Sequence, residues 1–169
     1  MNEIDAVLEQ ETHFHCLGGF VIAMLYNLKR ETSDLDFISC IPRENDLRFY
    51  ELAGESSKLY KKYGVYLDPV KIATVPDNYE DRLIEMFPGE LNYLKLFALD
   101  PYDLALSKLE RNLQHDREDM LYLAQNVPLD LEIFKQRYDD ELRVYLEDNI
   151  RHRSTFSLWI EMIEEIRGK

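Results

Sequence analysis

The sequence predicts an α+β fold, a small mixed β-sheet with flanking helices followed by a helical C-terminal part. Two observations predict it. Short apolar runs with strand-like patterning lie in the first half, at residues 13–17, 35–41 and 65–75, whereas apolar residues in the second half recur at helical spacing. No repeat, low-complexity tract or Gly/Ser linker separates the halves. A chain of 169 residues is long enough to bury a core. The expected organisation is an α/β core over residues 1–90 with a helical region over 91–169 packed on it as one compact unit.

The elements follow in order. Ile4, Val7 and Leu8 have helical spacing, and His13 to Leu17 reads as a short strand that ends at Gly18-Gly19. A helix comes next, with Val21, Met24, Leu25 and Leu28 at i, i+3, i+4 and i+7 as one buried stripe. After the polar turn Lys29 to Ser33, Leu35, Phe37, Ser39 and Ile41 alternate with Asp34, Asp36, Ile38 and Cys40. That alternation predicts a strand with one mostly apolar face and both aspartates on the other. Residues 45–63 read as a helix with Leu47, Tyr50, Leu59 and Tyr63 among its apolar members. Val65 to Asp68 starts a further strand, interrupted by Pro69, which points to an edge or a bulge, and resumed over 70–75. From residue 76 the pattern is mainly helical. A helix over 100–114 opens with Asp100-Pro101 as N-cap and first-turn pair, and helices over 116–125, 130–147 and 154–167 follow. Phe156, Trp159 and Met162 form a stripe of core or interface type.

The formal net charge of −13 argues against a protein that coats DNA or RNA, because sequence-independent affinity for nucleic acid comes from Lys and Arg neutralising phosphates. The acids concentrate after residue 76, where solvated helix faces are the expectation. The start of the chain has neither a basic stretch nor an apolar run, and no segment reaches the ~18 apolar residues of a membrane span, so a soluble, cytoplasmic protein is expected. Cys16 and Cys40 lie in apolar stretches without metal-ligand spacing and read as buried thiols. His13 and His15 share a strand face and read as structural; His115 and His152, in charged sequence, are expected at the surface.

Asp34 and Asp36 carry the chemistry. Carboxylates at i and i+2 on a strand project from one face, about 7 Å apart at Cα, and such a pair can chelate a hard cation such as Mg²⁺ or Mn²⁺ together with phosphate oxygens. A Gly-Gly turn between strand and helix lets a phosphate approach the backbone N–H groups at the helix N-terminus. Strand, Gly18-Gly19, helix and a strand bearing Asp34-x-Asp36 occur here in that order, which would bring a phosphate cradle and metal ligands together. The coupled pattern is more specific than either half alone.

The segment CLGGFVIAMLYNLKRETSDLDFIS resembles the core of the nucleotidyltransferase superfamily related to DNA polymerase beta. Arg30-x-Thr32-x-Asp34-Leu35-Asp36 looks like its minimal prokaryotic branch, which includes the abortive-infection toxins of toxin–antitoxin systems and an uncharacterised bacterial family. DPYDLALSKLERNLQHDREDMLYL is similar to that branch's second motif block, a lysine-bearing helix followed by an acidic cluster. The resemblance spans residues 14–125. It implies metal ligation by Asp34 and Asp36, with Asp68 on the next strand as third carboxylate. It also implies phosphate contact at Gly18 and Gly19 and a phosphate-facing cation at Lys108, which interrupts the stripe Leu104, Ala105 and Leu109. Arg30 has two readings, a salt bridge within its turn or a place beside the carboxylates. Ion pairs account for most of Lys108, Arg111, Asp116 and Asp119.

The implied activity is Mg- or Mn-dependent transfer of a nucleoside monophosphate from a nucleoside triphosphate to an acceptor hydroxyl on RNA or protein. The implied setting is toxin–antitoxin or phage defence with a cognate antitoxin or toxin partner, no membrane, and no extended DNA-binding surface. Phe20 stands where many active members have serine, and 14 residues separate Gly19 from Asp34. These departures keep a second reading open, a catalytically degenerate binding module or antitoxin-like partner protein.

Overall fold

The computed structural model describes residues 1–43, 46–146 and 150–168, with Asp46 and Leu47 as backbone only. It divides into two units, Met1–Ala73 with Leu83–Leu99, and Thr74–Arg82 with Asp100–Lys169.

The first unit contains α1 (Asn2–Asp5), β1 (Thr12–Leu17), α2 (Gly18–Tyr26), β2 (Asp34–Ile41), α3 (Asp46–Ala53), α4 (Lys58–Tyr63), β3 (Tyr66–Pro69), β4 (Ile84–Met86) and β5 (Leu94–Ala98). The strands form one mixed sheet in the order β3-β2-β1-β5-β4. β1 runs antiparallel to β2 and parallel to β5, and β2 runs parallel to β3. Its central place explains its composition, since Phe14, Cys16 and Leu17 are all buried. Cross-strand partners share a face, so Phe14, Cys16, Phe37, Cys40, Leu94, Leu96 and Ala98 line one side. There the edge of Phe14 meets Phe37 and Phe49, with ring centroids 4.7 and 4.8 Å apart, and α3 closes that core. The Asp5 carboxylate accepts hydrogen bonds from the backbone N–H groups of Tyr93, Leu94 and Asn92 at 2.7, 2.8 and 3.1 Å, tying α1 to the start of β5.

A β-bulge resets the alternation of β2 beyond the aspartates. His15 pairs with Ser39 but Cys16 with Phe37, so Ile38 is the extra residue. Such an insertion bends the strand and reverses its alternation. Leu35 and Phe37 are buried before it and Cys40 after it, while Ile41 is 46 % exposed. The expected face of Leu35, Phe37, Ser39 and Ile41 is thereby corrected beyond Ile38. Asp34 and Asp36 precede the bulge and keep the face opposite Leu35 and Phe37.

Other expectations change for local reasons. Asn27 adopts a left-handed conformation at φ 59° and ends α2, so Leu28 falls outside the helix. Val21 and Ile22 provide the burial and Met24 is exposed. The helix expected over 45–63 is two helices, because the chain turns at Gly54 and Ser57 then caps α4 by accepting from the Tyr60 N–H at 3.0 Å. Asn45 and the Leu47 side chain lie outside the described residues; Tyr50 and Tyr63 are exposed. Pro69 sits on an edge strand, as its missing N–H requires. The strand does not resume over 70–75, its last ladder bond being Val70 N–H to Phe37 C=O at 2.9 Å. Two strands, β4 and β5, occupy the stretch expected to begin the helical part. Alternation in Leu94, Leu96 and Ala98 buries one side of β5 against β1.

The second unit contains α5 (Pro101–Leu106), α6 (Gln114–Asn126), α7 (Leu131–Arg137) continuing into a π-helical turn Tyr138–Leu142, α8 (Ile150–Arg167), and a 3₁₀ turn Tyr79–Arg82. Asp100 caps α5 as predicted, accepting from the Asp103 N–H at 2.9 Å with Pro101 in the first turn. That helix ends at Leu106, well short of 114, and α6 begins at Gln114. Leu104, Leu109, Met120, Leu123, Phe134, Trp159 and Ile163 are buried together with Phe156. Glu147, the expected end of the helix over 130–147, lies outside the described residues.

The acids of this unit are not all solvated. Asp103, Asp116 and Asp119 are at most 1 % exposed, because cations meet them: Arg82 and Arg137 both bond Asp103, and Arg82 reaches on to Glu141. His152 is buried, against expectation, because it shares the helical face of Thr155, Phe156 and Trp159; His115 is exposed. Among the described residues no helix is long and apolar enough to cross a membrane.

Candidate functional site

β1 delivers Leu17 in an extended conformation, and the chain turns at Gly18, with φ +80°, straight into α2. A helix start of this kind presents unpaired N–H groups and the positive end of the helix dipole. Asp36 stands directly across from Leu17 on β2. Its Oδ2 lies 2.1 Å from where a Cβ on residue 18 would be, so glycine is required there by conformation and by space.

The residues between α2 and β2 fold back over the same turn. The Arg30 Nη2 lies 2.7 Å, and the Thr32 Oγ1 3.7 Å, from the position a Cβ on Gly19 would take. The Thr32 hydroxyl donates to Asp34 Oδ1 at 2.7 Å. Of the 14 residues between Gly19 and Asp34, those up to Tyr26 complete α2 and the rest form this return. Gly18, Gly19, Arg30, Thr32, Asp34 and Asp36 thus meet around one turn, with the Arg30 guanidinium against Gly19.

Asp68 joins them from β3, in register with Asp36 on the neighbouring parallel strand. Burial raises its carboxyl above the usual aspartate range, and the charges of Asp34 and Glu55 raise it further. The Tyr66 phenol is raised by burial and then by Asp34, Asp68, Glu55 and Asp36, so these four carboxylates act on one locality. The Cys16 thiol is pushed far up by burial, with Asp36 adding, which makes it an inert core group. His13 bonds Glu11 at 2.6 Å and packs its ring on Phe97, a structural arrangement.

The donor set tests which cation could bind here. Among the described residues no group of three or more His, Cys, Asp or Glu side chains forms a ready metal cage. Two carboxylates on one strand face beside the N–H groups at the start of α2 suit Mg²⁺ or Mn²⁺, which take one or two carboxylates and complete their shell with phosphate oxygens and water. The all-oxygen donors fit a hard cation.

Lys108 lies in the second unit. It is 4 % exposed, with Nζ 2.8 Å from Asp119 Oδ2 and 3.7 Å from Asp116 Oδ1. Arg111 also grips Asp116, at 2.9 and 2.6 Å. Burial pushes the Asp116 carboxyl up, but Arg111, the Leu113 N–H and Lys108 outweigh it and the net shift is downward. The ion pairing foreseen for this cluster therefore includes Lys108 itself.

Sequence reasoning gave no role to Thr32 or Glu55. Thr32 had a readable signal, a hydroxyl two residues before an aspartate, a spacing at which local side-chain hydrogen bonds form. Glu55 had none, because the fold alone brings the turn between α3 and α4 toward β3.

A family model described as "Nucleotidyltransferase of unknown function (DUF6036)" matches residues 1–167. No curated protein matches the chain, and no solved structure does.

Proposed function

The chain belongs to the DUF6036 family, nucleotidyltransferases of unknown function, and we propose that it transfers a nucleoside monophosphate from a nucleoside triphosphate to an acceptor hydroxyl in a Mg²⁺- or Mn²⁺-dependent reaction. The observation that carries this reading is the convergence at one turn of the Asp36 carboxylate over Gly18, the Arg30 guanidinium over Gly19, and Asp34 beside them.

In this reading Asp34 and Asp36 hold the cation, with Asp68 next to them. A cation held there would supply neutralisation of the charge that develops on the triphosphate. The N–H groups at the start of α2 and the Arg30 guanidinium bind phosphate oxygens and orient the α-phosphorus. The acceptor oxygen forms a bond to that phosphorus as the bond to the bridging oxygen breaks and pyrophosphate leaves. The acceptor proton would pass to Asp68, which stands in register with Asp36 on the neighbouring strand. Positioning and charge stabilisation supply most of the rate. Lys108 takes no part in this reading, because its Nζ is buried against Asp119 and Asp116; a toxin–antitoxin or phage-defence setting with a cognate partner in the cytoplasm rests on the resemblance of the motifs.

A second reading, a fold retained as a binding module or antitoxin-like partner, draws on Phe20, which removes the hydroxyl that active relatives place after the glycines. Incubation of the protein with each labelled nucleoside triphosphate, Mg²⁺ and a cell extract separates the two. Transfer of label with release of pyrophosphate supports the enzyme, and the absence of both for every triphosphate supports the binding module.

A further inference from the structure

We propose that Thr32 is a positioning residue for Asp34, holding one carboxylate oxygen so that the other is presented to the cation. This inference rests on the nucleotidyl-transfer reading and assigns a role to a residue outside its ligand set.

The Thr32 hydroxyl has a single proton and two acceptors within reach, the main-chain oxygen of Asp34 at 3.3 Å and its Oδ1 at 2.7 Å. The shorter contact is to the charged acceptor, and charge-assisted hydrogen bonds are the stronger kind. With Oδ1 engaged, Oδ2 is the oxygen whose lone pairs remain for a ligand. The hydroxyl itself, two residues before the aspartate, is what this task requires. The backbone carrying it returns across Gly19, with Oγ1 3.7 Å from the position of a Cβ there, so one side chain sits against the phosphate cradle and orients a metal ligand. A carboxylate that binds a metal works best when a neighbour fixes its orientation, and loss of such a neighbour costs about 10–100-fold in metal affinity.

The experiment measures the dissociation constant of Mn²⁺ by electron paramagnetic resonance, with each ribonucleoside triphosphate carrying a non-hydrolysable α,β linkage, for the parent, Thr32→Val and Thr32→Ser. Thermal melting is recorded for all three. Valine keeps the shape and removes the hydroxyl; serine keeps the hydroxyl. The expected result is Mn²⁺ binding weakened by about 10-fold or more in Thr32→Val, binding in Thr32→Ser close to the parent, and three similar melting temperatures. Parent-like binding in Thr32→Val overturns the inference and leaves the nucleotidyl-transfer reading standing. Equal losses in both variants, accompanied by lower melting temperatures, also overturn it, because a hydroxyl-independent packing role then explains the residue. A parent that binds no Mn²⁺ with any triphosphate overturns the nucleotidyl-transfer reading itself, and the role of Thr32 with it.

Discussion

Gly18→Ala replaces one hydrogen with a methyl group at the point where the glycine turn and Asp36 meet, and its cost can be worked from the structure. The backbone there has φ +80°, a left-handed conformation that disfavours an L side chain by roughly 1–2 kcal/mol. The new Cβ would also lie 2.1 Å from Asp36 Oδ2 and 3.0 Å from its Cγ. Asp36 cannot retreat as a whole, since its backbone is paired with Leu17 on one side and Asp68 on the other. Its carboxylate must rotate off its preferred rotamer, at about 0.5–1.5 kcal/mol. The sum, about 1.5–3.5 kcal/mol, corresponds to a fall in melting temperature of roughly 3–14 °C for a chain of this size.

Gly19→Ala is the internal control. Gly19 lies inside α2, where alanine is favoured over glycine by up to about 1 kcal/mol. The atom in the way is the Arg30 Nη2 at 2.7 Å, the far end of a flexible side chain that can swing aside. The assay is thermal melting followed by Mg²⁺-dependent triphosphate binding. Gly18→Ala should lower both melting temperature and binding, and Gly19→Ala should weaken binding at unchanged or raised melting temperature. A Gly18→Ala protein that melts with the parent would refute the assigned turn conformation and the place of Asp36 above it.

Three further outcomes follow from the same structure. Asp5→Asn removes the charge that accepts from three backbone N–H groups at the start of β5, and should cost about 1.5–3 kcal/mol in urea unfolding. Burial raises the Asp5 carboxyl, but the N–H groups of Leu94, Asn92 and Tyr93 outweigh it and leave it lowered. The unfolded chain therefore takes up this proton first as the pH falls. Its stabilisation is complete above about pH 4 and is lost as pH falls through the folded value, so the difference between parent and Asp5→Asn should shrink in acid titrations of stability. Lys108→Met removes the buried ammonium that meets Asp119 at 2.8 Å, while Arg111 stays on Asp116, and should cost on the order of 3–5 kcal/mol by the same unfolding assay.

The glycine turn and the aspartate strand were legible because each is local. Gly18-Gly19 and Asp34-x-Asp36 express themselves within a few residues, and two-residue alternation put both carboxylates on one face. The bulge at Ile38 was not legible, since it arises from the pairing of β2 with β1, and it moved Cys40 rather than Ile41 into the core. β5 was hidden for a related reason. Its five residues carry too short an alternation to stand out until β1 is beside them. Asp116 and Asp119 are buried on their near neighbours Lys108 and Arg111, a pairing that was legible although the burial was not, and the charged surroundings of His152 hid the apolar face it shares with Phe156 and Trp159. The register of Asp68 with Asp36 also needed the parallel pairing of β3 with β2, although the neighbouring Pro69 correctly marked an edge strand.

The central claim, that Asp34 and Asp36 exist to hold a cation over a nucleotide, is tested most directly by thermal melting of the parent and of Asp34→Asn/Asp36→Asn with and without Mg²⁺ and a nucleoside triphosphate. Neighbouring carboxylates repel when no cation is present, so the double variant should melt at or slightly above the parent in the absence of ligand. Ligand at about a hundred times its dissociation constant stabilises the folded state by about 2.7 kcal/mol, a shift of roughly 5–10 °C that the parent should show and the double variant should lack. A parent that does not shift with any triphosphate, joined to a double variant that melts far below it, would contradict the claim and make the two aspartates structural.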